Sequence, residues 1–182
     1  MRNVKTKRLR RVLIAIITFL AVSIALFVSM PFNLVKTGYR QKTYILPQAL
    51  KAKVEQDTRG MDIEQIIDYG LTLTASQLRF SRYNDIEMGK ANCVGYAQLC
   101  ASICNQAFSA NGVNAQAKAV VGYIESNGIN WCDVLKSVVP KGSYKNFVKD
   151  HDFVELVTES KTCYFDPSIY DVLGKKCLKI TN

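Results

Sequence analysis

The chain has 182 residues, with 24 basic against 15 acidic side chains, a formal charge of +9, and one histidine, His151. That length fits one domain plus appendages, and such a domain can bury a core without disulfides. Arg2, Lys5, Lys7, Arg8, Arg10 and Arg11 carry six of the basic charges, which leaves 18 against 15 elsewhere; those are dispersed and form no stripe interleaved with stacking aromatics, which argues against nucleic-acid binding.

Residues 1–11 read as a basic cytoplasmic tail. From Val12 to Val35 no charged residue occurs, and a helix rising about 1.5 Å per residue over that stretch exceeds a hydrocarbon core of about 30 Å. The apolar run is longer than a signal-peptide h-region, and Val28-Ser29-Met30 is not a small-x-small cleavage pattern. The sequence therefore predicts an uncleaved transmembrane signal anchor over residues 12–35. The positive flank puts the amino terminus in the cytoplasm and the remaining chain on the extracytoplasmic side of the membrane. The same flanks leave a cleaved secretory signal as the alternative.

Residues 36–57 are expected to form a polar, aromatic tether followed by a leading helix, with Pro47 in its first turn and Leu50 and Val54 on one face. The domain proper is expected over 58–182. Asp62 to Tyr69 places Ile63, Ile66 and Ile67 together, predicting a short helix ended by Gly70. Thr74 to Phe80 fits either a helical turn or a strand, and Ser81 to Ala91 reads as a loop. Asn92 is a good N-cap for a helix whose stripe is Tyr96, Leu99, Cys100, Ile103, Cys104 and Ala107, stopped at Asn111-Gly112. Gly95 costs propensity near that helix start and suggests a close backbone approach. Val113 to Tyr123 alternates as a strand, ending before Ser126-Asn127-Gly128. Asn130 to Val139 reads as a short helix in an insertion closed by Pro140 and Gly142. His151 to Val157 and Thr162 to Asp166 form a hairpin around the polar turn at Thr158 to Lys161. Period two puts His151, Phe153 and Glu155 on one face and Asp152, Val154 and Leu156 on the other.

Cys93, Cys100 and Cys104 fall on one helix face, where the rise forbids a Cys93 to Cys100 bridge; Cys100 and Cys104 read as small buried hydrophobes. Cys132, Cys163 and Cys177 have no partner that the sequence identifies. With no CxxC pair and one histidine, neither a metal site nor a cofactor is expected.

A thiol in the first turn of a helix meets unpaired N–H groups and the positive end of the macrodipole, both of which stabilise negative charge on sulfur. Cys93 holds that place. An imidazole beside it can exchange a proton near neutral pH, and a carboxylate on the far ring nitrogen would fix its tautomer; His151 and Asp166 are the candidates. The Cys93 N–H, free at the helix start, is a natural donor to an oxyanion.

Four ordered landmarks carry a resemblance. They are Cys93-Val94-Gly95-Tyr96-Ala97, Gly112-Val113-Asn114-Ala115 leading to Val121-Gly122-Tyr123, His151-Asp152-Phe153-Val154-Glu155, and Tyr164-Phe165-Asp166-Pro167-Ser168. Over roughly residues 60 to 170 the chain resembles the transglutaminase-like superfamily. The resemblance implies an α+β fold of papain-like or transglutaminase-like type, with a nucleophile-bearing helix packed on a small antiparallel sheet behind the transmembrane helix. It also implies a triad of Cys93 as nucleophile, His151 as general base and acid, and Asp166 as orienting carboxylate. Two departures stand out: Asp152 and Phe153 follow the histidine where the family shows a small residue and tryptophan, and the segment between Tyr123 and His151, which holds Trp131, is longer than in minimal members. Trp131 would wall the substrate cleft or pack over the sheet. Glu155 reads as a solvated or salt-bridged carboxylate, and Asp171 and Glu125 have no comparable context.

The expected activity is thiol-based acyl transfer or hydrolysis at an amide of a peptide, protein or cell-wall substrate. The alternative is a catalytically silent interaction module on the same scaffold, which requires a Cys93 sulfur out of reach of His151 or a cleft filled by residues 124–147. A cysteine-rich metal-binding or redox domain is disfavoured by the missing CxxC.

Overall fold

The computed structural model describes residues 32–138, 150–176 and 179–181, together with Leu13, Ile14, residues 16–19 and Val22. Residues 1–31 and 32–182 form two separate units. In the first, the described residues are helical and exposed. The expected tail over 1–11 and most of the expected span over 12–35 lie outside the described residues.

The second unit opens with a strand where a helix end was expected. Its first strand, β1 (Asn33–Tyr39), takes in the end of the expected transmembrane helix and the start of the expected tether. It pairs antiparallel with β4 (Ala115–Ser126), Leu34 facing Ile124 and Val35 facing Tyr123, and Leu34 is 1% exposed. The uncharged run concealed this strand because a buried strand and the end of an apolar helix look alike in composition. Among the described residues no helix is long and apolar enough to cross a membrane, and β1 takes the place of the last residues of the helix expected over 12–35.

Helix α1 (Gln48–Asp57) starts after Pro47, which is the N-cap, and buries Val54. Helix α2 (Ile63–Gln77) opens with a capping box: the Asp62 carboxylate accepts from the Gln65 N–H at 2.8 Å and the Gln65 side chain accepts from the Asp62 N–H at 2.9 Å. It does not stop at Gly70. A Cβ there would come 2.7 Å from Cys104 Sγ and 3.5 Å from Cys100 Sγ, so the glycine marks a close helix crossing rather than a terminus. The ambiguous stretch resolves into the last turn of α2 and β2 (Arg79–Phe80), which pairs in parallel with β3 (Lys90–Ala91) across the loop between them.

Helix α3 (Cys93–Ala110) occupies the centre of the core. Its apolar stripe meets α2 on one side and Ala117, Ala119, Val154, Leu156, Cys163 and Phe165 of the sheet on the other. The sheet runs in the order β1-β4-β6-β7-β8, with β6 (His151–Thr158), β7 (Thr162–Phe165) and β8 (Lys179–Thr181), all antiparallel; β5 (Ile129–Asn130) folds back on the end of β4. Asn127 and Gly128, with φ of 52° and 78°, supply the left-handed turn that lets β4 continue past Tyr123 and reverse into β5. Helix α4 (Trp131–Val138) follows; Pro140 and Gly142 lie outside the described residues. Helix α5 (Pro167–Leu173) and β8, neither of them read from the sequence, close the chain.

Alternation along β6 divides the sheet faces. Val154 and Leu156 pack toward α3, while Phe153 joins Leu34 and Val120 in a second cluster that Tyr164 borders. His151 lies opposite Gly122 of β4, where a Cβ would sit 1.9 Å from the Val35 carbonyl oxygen. Only glycine lets β1 press this closely on the strand beside His151.

Candidate active site

Cys93 is the first residue of α3. The Asn92 side chain caps the helix by accepting from the Val94 N–H at 3.1 Å, which leaves the Cys93 N–H with no acceptor in its own helix. The helix thus presents a partly exposed thiol and a backbone donor at its positive end. Gly95 allows the loop before it to close over this turn: a Cβ there would lie 2.0 Å from Asn84 Oδ1 and 2.6 Å from the Ala91 Cβ. The close approach expected at the Gly95 backbone is present, and the side chains of Asn84 and Ala91 make it.

His151 reaches this helix end from the start of β6, its side chain 15% exposed. Nε2 is hydrogen-bonded to Asp166 Oδ2, and the Cys93 thiol lies near enough to the same imidazole to favour its charged form. With Nε2 occupied by the carboxylate, Nδ1 is the nitrogen left for the thiol. Burial, the largest single influence on His151, disfavours its charge. The charge of Asp166, the hydrogen bond to it and the nearby Cys93 outweigh it and hold the imidazole pKa well above its ordinary 6.5.

Asp166 is fully buried and divides its two oxygens. Oδ2 serves His151, while Oδ1 accepts from the Ser168 N–H at 2.9 Å, the Ser168 hydroxyl at 2.8 Å and the Ile169 N–H at 3.0 Å. Those donors exist because Asp166 is the N-cap of α5 and Pro167 sets the first helical φ. Burial pushes Asp166 toward its neutral form, but the His151 charge and these donors prevail and keep it a carboxylate below its usual range. Nε2–H is therefore the donor of the pair. The three residues singled out in the sequence come together, each on a different element.

Other candidates go elsewhere. Glu155 takes the salt-bridged alternative, buried and bound by Lys36 Nζ at 2.5 Å and by the Tyr164 hydroxyl at 3.0 Å. Asp171 accepts from the Tyr96 hydroxyl at 2.5 Å and ties α5 to α3. Phe153, in the position of the family's tryptophan, is fully buried and stands edge-on to Tyr164 with centroids 5.9 Å apart. Trp131 is half-buried at the first position of α4. The five described cysteines, Cys93, Cys100, Cys104, Cys132 and Cys163, are all free; Cys177 lies outside the described residues.

Two neighbours of the triad were not foreseen. Asp152 is fully buried beside His151 and takes a two-pronged bond from Arg40, Nε to Oδ2 at 2.7 Å and Nη2 to Oδ1 at 2.8 Å, with Asp150 at 3.2 Å from the same guanidinium. These hydrogen bonds raise the Arg40 basicity against burial, and Cys93 contributes to the rise, so Arg40 lies within electrostatic reach of the Cys93 sulfur. A charged residue alternating with Val154 and Leu156 was the available signal, since a buried carboxylate needs a cation. The second neighbour is Cys132. Burial pushes its thiol up, the His151 charge pulls it down, and Cys93 adds to the rise.

No family model matches the chain, and no curated protein or solved structure matches it. The expected papain-like or transglutaminase-like fold is accordingly corrected: no papain-like fold is detected, and the architecture is an α+β domain with a small antiparallel sheet.

Proposed function

We propose that this protein is a thiol enzyme acting on amide bonds, by acyl transfer or hydrolysis, with Cys93 as nucleophile, His151 as proton carrier and Asp166 as the carboxylate that positions it. The observation that carries this reading is the buried Asp166 holding Nε2 of an imidazole that is within electrostatic reach of a thiol at a helix N-terminus. The four ordered motifs similar to the transglutaminase-like superfamily support it, as does the Cys93 N–H beside the sulfur.

In the first half-reaction the sulfur bonds to the amide carbonyl carbon while the oxygen takes up negative charge facing the Cys93 N–H. His151 gives its Nδ1 proton to the departing amine as the C–N bond breaks, leaving a thioester. In the second, water or an amine attacks the thioester, His151 takes the attacking group's proton, and the sulfur leaves to re-form the ion pair. The positioning carboxylate keeps its negative charge throughout.

A fluorescent iodoacetamide at neutral pH tests the nucleophile. In a Cys177→Ala background it is expected to label the full chain and to lose the main site when Cys93→Ala is added, because the other described cysteines, Cys100, Cys104, Cys132 and Cys163, are buried. Equal labelling of both proteins, or none while Cys93 is present, would remove the mechanism.

A further inference from the structure

A groove of about 520 Å³ runs along α3 between the segment of residues 41–46 and the first residues of β4, a volume ordinary for a ligand site. Its charged walls are one-signed: Arg40, Lys42, Lys51 and Lys118 line it, and no carboxylate does. Arg40 is spent on Asp150 and Asp152, but Lys42, Lys51 and Lys118 form no ion pair among the described residues. Lys118 lies opposite Glu155 in the strand register, yet that carboxylate is taken by Lys36 and Tyr164. Lys42 and Lys51, with Lys118 on the neighbouring edge of β4, leave a positive field along the groove that an anion would satisfy.

The groove is also built before any ligand arrives. Gln98 Nε2 donates to the Lys42 carbonyl at 2.9 Å and the Ser102 hydroxyl to the Tyr44 carbonyl at 2.6 Å, which pins segment 41–46 to α3. On the floor, the Asn105 amide takes both the N–H and the C=O of Ala117 at 2.8 Å, so this edge of β4 is not open to a further strand. Recognition therefore falls to side chains. Besides the lysines these include the amides of Gln41 and Gln116, each a donor and an acceptor, which suits a peptide main chain; Gln106, also on the wall, donates to Glu55 Oε1 at 2.8 Å. The walls offer one aromatic ring, Tyr44, and no stacking platform for bases.

One end of the groove is Arg40, whose guanidinium holds Asp152 beside His151. A chain lying in the groove and passing Arg40 is directed to Cys93. We propose that this groove binds an acidic, extended peptide segment, the carboxylate-bearing part of the substrate whose amide reaches Cys93. The identification as substrate rests on the thiol-enzyme reading; the groove's charge selectivity does not.

The test uses the full chain carrying Cys93→Ala, so that binding is read without turnover, and a fluorescein-labelled peptide of alternating glutamate and glycine followed by anisotropy. Binding is expected to fall with added salt and to weaken at least about tenfold in Lys42→Glu/Lys51→Glu/Lys118→Glu. It should stay within about twofold in Arg59→Glu/Lys90→Glu/Lys161→Glu, which changes net charge equally away from the groove. A matching lysine and glycine peptide should not bind. Equal loss in both triple variants, equal binding of the lysine peptide, or tighter binding of an oligothymidylate of the same charge would each overturn the proposal. Failed labelling of wild-type Cys93 would sink the enzyme reading alone, and failed charge-selective binding would sink the groove alone.

Discussion

Burial by itself would strip the charge from His151, and Asp166 is what prevents it. In Asp166→Asn the main opposing charge is gone and burial is countered only by Cys93, so the imidazole pKa falls. The alkaline limb of kcat/KM, which reports loss of the imidazolium, should therefore move to lower pH while the rate drops about a hundred- to ten-thousand-fold. A purely structural Asp166 would lower the rate without moving the limb, and a pH profile separates the two. The same pair gives stability a window. His151, raised from 6.5, contributes fully below that value and loses its contribution as pH rises through its folded pKa; Asp166, lowered from 3.8, contributes above that value and loses it as pH falls through its own. Urea midpoints should accordingly be highest between the two ordinary values and vary less with pH in His151→Gln/Asp166→Asn. The grouping of Cys93, His151 and Asp166 proposed as a triad was legible because a single histidine and four ordered motifs point to it. Arg40 and Asp152 were not, because 112 residues separate them and nothing local links them. Removing the cation strands a fully buried carboxylate, so Arg40→Met should destabilise toward the lower end of about 3–5 kcal/mol, given that Arg40 is itself 33% exposed. Arg40→Met/Asp152→Leu should recover much of that loss in denaturant melts; no recovery would show that the pair matters for more than its charges.

Helix α2 shows how one residue type carries two meanings. A glycine after an apolar run reads as a helix end when only the local chain is visible, and Gly70 was read that way. Its reason lies on another element: the Cys100 and Cys104 sulfurs of α3 occupy the space its side chain would need. Gly70→Ala should gain helix propensity and still lose stability, by about 1–3 kcal/mol, because overpacking a tight crossing costs more than the backbone gains. A higher melting temperature in Gly70→Ala would show the crossing to be looser than the structure has it. The strong periodic elements, α3 and the β6–β7 hairpin, were legible for the complementary reason that their signals are local. Strand β1 was not, since its apolar residues merge into the preceding uncharged run, and α5 was not, since its defining feature is a cap, Asp166, already claimed as a site residue.

At the scale of the molecule, the boundary drawn from the resemblance, residue 58, cuts through the fold. Leu34, Leu46 and Val54 all precede it and are at most 5% exposed, packed against the sheet and α3. At about 1.5–3 kcal/mol for each buried aliphatic side chain they contribute roughly 5–9 kcal/mol, which is comparable to the whole net stability of about 5–15 kcal/mol of a typical domain. A cut at 58 also removes Arg40 and strands Asp152 beside His151, so the loss falls on the site as well as the core. The compact unit instead begins at Phe32. A chain starting at residue 32 should therefore melt cooperatively and keep iodoacetamide labelling at Cys93, whereas one starting at residue 58 should show no cooperative melt and expose the buried cysteines to the same reagent. If the shorter chain folds and labels selectively at Cys93, then β1, α1 and the Arg40 clamp are additions to the catalytic unit rather than part of what holds it together.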